Sequence, residues 1–169
     1  MNLKHFTRIA MTAAIYTAVS FVPGLNTLAF GPIQVRIAEA LTILPIIYDD
    51  AVWGVTLGCL IINMLGVATG LTGPIDIFVG TLATLLAALC TRKLKDKTVK
   101  GVPVWSILMP VIFNFFFVGT ELAWMLNRDQ MFTMMWIYGA EVAVGEAIAV
   151  VLGYFLTKAL AKTNIFEQQ

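Results

Sequence analysis

Two carboxylates, Glu141 and Glu146, lie inside the apolar segment GAEVAVGEAIAVVLGYFL, residues 139–156. An ionisable side chain is costly in hydrocarbon, so an acid within a membrane segment marks a candidate binding site or proton relay. The two residues are five positions apart, which places them about 140° apart around a helix. We therefore expect Glu141 and Glu146 to serve different purposes, with Glu141 nearer the outer end.

A second set of polar side chains lies in FNFFFVGTELAWML, residues 113–126. Asn114, Phe117, Glu121 and Trp124 recur at i, i+3, i+7 and i+10, a spacing that places them on one helical face. That face presents an amide, a carboxylate and two aromatic rings. On the last apolar segment Tyr138 shares a face with Glu141. These side chains are candidates for binding a ligand.

The composition predicts that the elements carrying these residues are membrane helices. Hydrophobic residues make up 59% of the chain, charged residues only 12%, and the mean hydropathy is +0.86, values that do not fit one soluble domain of 169 residues. A helix needs about 20 residues to cross the hydrocarbon. We expect an all-α integral membrane protein with one domain, residues 1–169, and six transmembrane helices at about 6–23, 33–48, 51–68, 75–90, 104–126 and 132–161.

The distribution of basic residues supports six spans with both termini in the cytoplasm. This topology places nine Lys and Arg residues inside and only Arg36 and Arg128 outside, in keeping with the positive-inside rule. If the short second segment, which contains Pro45, did not cross, the basic stretch TRKLKDKTVKG would lie outside. The first segment resembles a signal peptide in its early positive charges, but the parity of the spans requires it to be retained.

Several features near the helix ends have structural as well as functional interpretations. Arg36 and Glu39 are expected to form an exposed or lid-associated ion pair, and Asp76 is expected to help start the fourth helix. Small residues every fourth position on the first helix form a smooth strip that suits packing in the bundle or docking to a separate membrane subunit. That strip consists of Ala10, Ala14 and Ala18.

The same inventory argues against several kinds of chemistry. His5 is the single histidine, Cys59 and Cys90 lie in apolar segments, and no nucleotide-binding loop is present in the sequence. We expect no catalytic residues, no metal and no cofactor. One alternative is a proton-coupled carrier working alone, with Glu141 and Glu146 as a relay. A membrane-embedded enzyme is weaker because no nucleophile and base are paired.

Five segments in order resemble the QueT family of queuosine-precursor transporters. They are QVRIAEALTILP (34–45), NMLG (63–66), DIFVGTLATLLAAL (76–89), FNFFFVGTELAW (113–124) and VGEAIAVVLGY (144–154). Members of this family are the substrate-binding S components of energy-coupling factor transporters. The resemblance covers most of the chain.

The resemblance implies a six-helix S component without ATPase activity in the plasma membrane of a prokaryote. Its partners would be a transmembrane coupling subunit and two ABC ATPases, with no nucleic acid involved. Such a protein captures its substrate outside and then topples in the membrane on the coupling subunit. By this resemblance the strip of Ala10, Ala14 and Ala18 contacts the coupling subunit, and residues 24–35 form a lid.

The implied substrates are 7-deazaguanines such as preQ1, preQ0 or queuine. A carboxylate, Glu121 or Glu146, would accept the ring N1–H and the exocyclic amine, and Asn114 would bind the ring carbonyl. Trp124, Phe117 or Tyr138 would stack on the ring. A second carboxylate would pair with the ammonium group of preQ1. An S component for another vitamin, such as riboflavin, thiamine or biotin, remains the nearest competitor.

Overall fold

A computed structural model describes residues 3–21 and 36–163, and these ranges are helical with no β-strand. The predicted all-α class is therefore confirmed, and the proposed lid at residues 24–35 lies outside the described residues. The main helices are α1 (Leu3–Ser20), the 3₁₀ helix η1 (Ile37–Ile46), α2 (Asp50–Ala68), α3 (Asp76–Lys93), α4 (Val104–Leu126) and α5 (Met131–Ala161). One 3₁₀ turn, Arg128–Gln130, joins α4 to α5.

Three of these helices are long and apolar enough to cross a membrane. They are α2, α4 and α5, the last together with the 3₁₀ turn before it. α1 carries Lys4 and Arg8, whereas α3 begins at Asp76 and ends at Arg92 and Lys93, so charges at their ends interrupt both apolar runs. The described ranges therefore contain six helices of ten residues or more, three of which have the length and composition of spans.

The described part of the predicted second segment, residues 33–48, contains the 3₁₀ helix η1. The helix η1 has ten residues, which at roughly 2.0 Å per residue in 3₁₀ geometry reaches about 20 Å. This length falls short of the roughly 30 Å of hydrocarbon. Apolar composition alone could not reveal this difference, because a buried helix and a membrane span share the same pattern.

η1 occupies the centre of the bundle. The five α-helices pack against their neighbours in chain order, and η1 contacts every one of them. Eight consecutive residues, Ala38 to Pro45, are buried. Irregular backbone is tolerated at membrane depth only where protein covers it, and the surrounding helices provide that cover for η1.

Glycines allow the closest helix contacts around this centre. Gly153 on α5 lies against the backbone of Ala40 in η1, and a Cβ atom there would collide with the Ala40 carbonyl oxygen. Gly119 on α4 and Gly139 on α5 face each other, so that a Cβ on Gly119 would lie 2.6 Å from the Gly139 Cα. Small residues at such crossings let helices gain dispersion contacts that lipid does not replace.

Polar contacts join several helix termini at one end of the bundle, which we call the basic end. Arg92 of α3 donates hydrogen bonds to the carbonyl oxygens of Pro45 and Ile46, at 3.0 and 3.3 Å, and also forms an ion pair with Asp49. His5 Nδ1 of α1 lies 2.9 Å from both carboxylate oxygens of Asp50. The start of α1, the end of η1, the start of α2 and the end of α3 therefore meet there. The start of η1 and of α3 lie at the opposite end.

The close packing of α5 on η1 predicts a position that does not tolerate a side chain. Gly153→Val should lower the apparent melting temperature of the purified protein in detergent, because overpacking a core costs about 1–3 kcal/mol. Ala147→Val, at an exposed position of the same helix, is the matched control and should melt like the unchanged protein. Equal melting temperatures for the two variants would contradict the contact between Gly153 and η1.

Candidate functional site

Four buried carboxylates from four helices form a cluster in the bundle interior. Glu39 on η1, Asp76 on α3, Glu121 on α4 and Glu146 on α5 are each no more than 6% exposed. Electrostatic interactions link Glu39 with Glu146, and Asp76 with Glu121. We call these four residues the carboxylate cluster. Such a concentration of acids in a membrane bundle marks a candidate site.

The cation of the cluster is Arg36, which precedes η1. Its Nη2 atom lies 3.6 Å from Asp76 Oδ2 on α3. Asp76 is the first residue of α3, where the helix dipole favours a negative charge. Asn63 of α2 holds this terminus in place by donating a hydrogen bond of 2.9 Å to the Asp76 carbonyl oxygen. The predicted location of Asp76 at a helix start is confirmed, and its carboxylate also contributes to the cluster.

The expected ion pair between Arg36 and Glu39, exposed or lid-associated, is not among the ion pairs of the described residues. Glu39 is only 1% exposed, and its Oε1 atom accepts a hydrogen bond of 2.5 Å from the hydroxyl of Tyr16 on α1. Arg36 lies closer to Asp76, a residue 40 positions away in the sequence. The spacing of three residues between Arg36 and Glu39 suggested a local pair, but the packing of η1 among five helices gives each residue a distant partner.

Several polar atoms of the cluster and its surroundings are buried without a hydrogen-bond partner in the described residues. They are Glu39 Oε2, both carboxylate oxygens of Asp76, Glu121 Oε2, Glu146 Oε1 and the side-chain nitrogen of Asn114. Native proteins pair most buried polar atoms, because an unmade hydrogen bond costs about 1–3 kcal/mol. These helices thus present several unpaired acceptors and one unpaired amide donor. A polar ligand that carries both donors and acceptors could form hydrogen bonds with them.

Glu121 lies between two cavities of different character. One, of about 480 Å³, is lined by Arg36, Asp76 and Glu121 together with residues of the loop between α2 and α3 and of α4. The other, of about 460 Å³, is lined mainly by apolar groups that include Phe117 and Trp124. Both volumes fall within the range of small-molecule sites. Phe117, Glu121 and Trp124, which were predicted to share one helical face, therefore line one cavity. The Arg128 guanidinium lies 5.3 Å from the centre of the Trp124 ring.

Other predicted site residues lie elsewhere. Asn114 is buried beside Glu146 and does not line the aromatic cavity. The Tyr138 hydroxyl donates a hydrogen bond of 2.5 Å to Asn127 Oδ1 at the junction of α4 and α5. This bond already uses the hydroxyl proton. Glu141 is half-buried and lines neither cavity. The structure therefore favours Glu146 over Glu141 as the acid of α5 that belongs to the cluster.

The first helix presents two different faces. Thr12, Ala13 and Tyr16 are buried against the bundle, whereas Ala10, Ala14 and Ala18 are all exposed. The alanine strip is therefore available for contact outside the chain. Tyr16 itself was missed as a site residue, since a single tyrosine in an apolar segment gives no local signal of a carboxylate 23 positions away.

The arrangement suits binding better than catalysis. Carboxylates can accept N–H groups in pairs, and the rings of Phe117 and Trp124 offer flat apolar surfaces. Across residues 3–21 and 36–163, no group of three or more His, Cys, Asp and Glu side chains could hold a metal ion. The cluster can therefore bind a flat ligand that carries several polar hydrogens.

Comparison with known proteins identifies relatives of this chain. Residues 6–162 match the model of a family described as QueT transporter. A protein of Lactococcus lactis subsp. cremoris (strain MG1363), named Queuosine precursor transporter QueT, is 28% identical over 162 residues, covering 91% of this chain and 90% of the relative. No solved structure matches the chain. The resemblance noted from the sequence segments is confirmed.

The bond between Tyr16 and Glu39 predicts a cost when the hydroxyl is removed. Tyr16→Phe should lower the free energy of unfolding by about 1–3 kcal/mol, because it leaves Glu39 Oε1 buried without its donor. The matched control is Tyr154→Phe, at a partly exposed tyrosine of α5 whose hydroxyl makes no hydrogen bond within the described residues. Thermal unfolding in detergent measures both. A loss no greater for Tyr16→Phe than for the control would contradict a stabilising role of this bond.

Proposed function

Because the chain belongs to the QueT transporter family, we propose that it is the substrate-binding S subunit of an energy-coupling factor importer and captures a queuosine precursor. Membership in the family makes it a transport protein, and the name of the Lactococcus lactis relative supplies the class of substrate. The proposed ligand is a 7-deazaguanine such as preQ1, preQ0 or queuine. The subunit binds this ligand at the outer side and releases it unchanged at the inner side.

The observation that carries the proposal is the position of Glu121 between the aromatic and the polar cavity. A 7-deazaguanine presents N1–H and an exocyclic amine on one edge, and one carboxylate accepts both. With this edge on Glu121, the ring lies along Phe117 and Trp124, which line the same cavity. Stacking on an aromatic side chain contributes about 1–3 kcal/mol per base in nucleic-acid complexes. The unpaired amide nitrogen of Asn114 is a donor for the ring carbonyl.

The proposed topology has six crossings, with both termini in the cytoplasm. Supporting it, the starts of α1 and α2 meet the ends of η1 and α3 at the basic end, where Arg92 and Lys93 also lie. Positive charge on one side of the membrane favours the cytoplasmic orientation of that side. The second crossing, predicted at residues 33–48, includes η1. The candidate site then opens toward the outside, where Arg36 and Asp76 lie.

The proposed partners are a membrane coupling subunit and two ABC ATPases. Support comes from the exposed strip of Ala10, Ala14 and Ala18 on α1, a surface that allows close approach of another helix. Import would proceed by toppling of the subunit on its coupling partner, a motion inherited from the family assignment. ATP hydrolysis would take place in the ATPases.

Calorimetric titration of the purified subunit with preQ1, preQ0 and queuine tests the capture role. At least one should bind, whereas guanine and riboflavin should bind far more weakly. Glu121→Gln should weaken binding about ten- to hundredfold, since replacing an acceptor by a donor loses a charged hydrogen bond of about 1.5–3 kcal/mol. Asp96→Asn, the same chemical change at an exposed turn, is the matched control.

Absence of binding to all three deazaguanines by the folded protein would overturn the substrate assignment. Unchanged affinity in Glu121→Gln would overturn the role given to that carboxylate. Tight binding of riboflavin would instead identify an S component for another vitamin.

The buried acids also favour a second candidate, a proton-coupled carrier that works alone. Uptake into proteoliposomes distinguishes the two. The proposed function predicts that uptake requires the coupling and ATPase subunits with ATP, and that it continues when an ionophore dissipates the proton gradient. Uptake by the subunit alone, driven by a proton gradient, would establish the carrier.

A further inference from the structure

Glu39 and Glu146 form a pair of acids that the binding scheme above does not use. Glu39 lies on η1 and Glu146 on α5, the α-helix in most extensive contact with η1. The two carboxylates interact electrostatically, and both side chains are at least nine-tenths buried. Each has one oxygen, Glu39 Oε2 and Glu146 Oε1, without a hydrogen-bond partner in the described residues. The pair therefore has acceptor capacity that the protein leaves unfilled.

The charges around this pair are unbalanced. The titratable groups that interact with the pair are Tyr16 of α1, Cys59 of α2, Asp76 of α3 and Arg36 beside η1. Glu121 of α4 interacts with Asp76 and Arg36. Across residues 36–163, Arg36 is the cation in this group, and it lies 3.6 Å from Asp76. Four acids therefore share one guanidinium, which already has a carboxylate as its neighbour.

Arg36 interacts with both Glu39 and Glu146, but its single positive charge is shared with Asp76 and Glu121. Buried carboxylates that outnumber their cation do not all ionise, and such a pair holds one proton in common. Each acid has a neutral neighbour that can donate a hydrogen bond to it. The Tyr16 hydroxyl donates a hydrogen bond to Glu39 Oε1. The amide of Asn114 lies beside Glu146. The proton is therefore assigned to the pair and not to either residue.

We propose that Glu39 and Glu146 form a cation subsite, in which the ammonium group of the ligand replaces the shared proton. The empty pair carries one proton and a net charge of minus one. On binding, the ammonium enters, the proton leaves to water, and both carboxylates accept hydrogen bonds from the ligand. Charge is balanced, because one positive charge enters for each one released. This inference rests on the proposed function and specifies which precursors the site selects.

The subsite selects by charge at the side chain of the deazaguanine. PreQ1 and queuine carry an amine that is protonated at neutral pH, as an unperturbed lysine amine is with its pKa of about 10.4. PreQ0 carries a neutral nitrile and cannot replace the proton. The affinity for preQ1 should therefore rise with pH by up to about tenfold per unit while the empty pair keeps its proton, because binding releases a proton. The affinity for preQ0 should lack this dependence.

The test is calorimetric titration at one pH in two buffers with different enthalpies of ionisation, which gives the number of protons released. Wild-type protein should release about one proton for each preQ1 bound and none for preQ0. Glu146→Gln should abolish this release and weaken preQ1 binding about tenfold or more relative to preQ0, because one charged acceptor is lost. Asp96→Asn should behave like the wild type.

The outcomes separate this inference from the proposed function. If no deazaguanine binds, the proposed function itself fails. If preQ1 binds without proton release, or preQ0 releases as many protons as preQ1, the exchange is overturned while the capture role stands. Unchanged proton release in a folded Glu146→Gln variant would also overturn it. Should that variant fail to fold, the comparison of preQ1 with preQ0 on wild-type protein decides the question alone.

Discussion

In hydrocarbon, each backbone N–H or C=O group without a partner costs several kcal/mol, and this constraint governs where a short irregular helix can lie. η1 satisfies it by occupying the centre of the bundle, with five helices around it. Arg92 reaches from α3 to bind the last carbonyl oxygens of η1, which have no acceptor role within the helix. The other helices are thereby arranged around an element that could not face lipid.

The 3₁₀ geometry of η1 has a direct consequence for the site. With three residues per turn, side chains three positions apart align along one edge of the helix. Glu39 and Thr42 are so spaced, and the Thr42 hydroxyl donates a hydrogen bond of 2.6 Å to the Glu39 carbonyl oxygen. η1 therefore carries Glu39 into the interior and has Arg36 just before its first residue, while α3 supplies Asp76 and α5 supplies Glu146. The close glycine contact of Gly153 with η1 holds these elements in register.

Local periodicity accounts for what the sequence could predict. The face of Phe117, Glu121 and Trp124 follows from the spacing within one helix, and the structure places all three along one cavity. Contacts between helices depend on rotation and depth, which packing determines. The sequence alone therefore misassigned the partner of Arg36 and missed the bond from Tyr16 to Glu39. It also could not show that Asn127 engages the Tyr138 hydroxyl. The 3₁₀ form of η1 was not predicted, because apolar composition does not distinguish a span from a buried core helix.

α1 is the element that touches both the candidate site and the proposed docking surface. Tyr16 faces inward and binds Glu39, while Ala14 and Ala18, two residues to either side, face outward. A hydrogen bond to an ionised carboxylate is roughly twice as strong as one between neutral groups. Any ligand that changes the charge state around Glu39 therefore changes how firmly α1 is held against η1. In the proposed function, substrate binding and subunit docking both involve α1. A free-energy coupling between two sites is reciprocal. A partner that shifts α1 from outside must then alter the affinity of the site within.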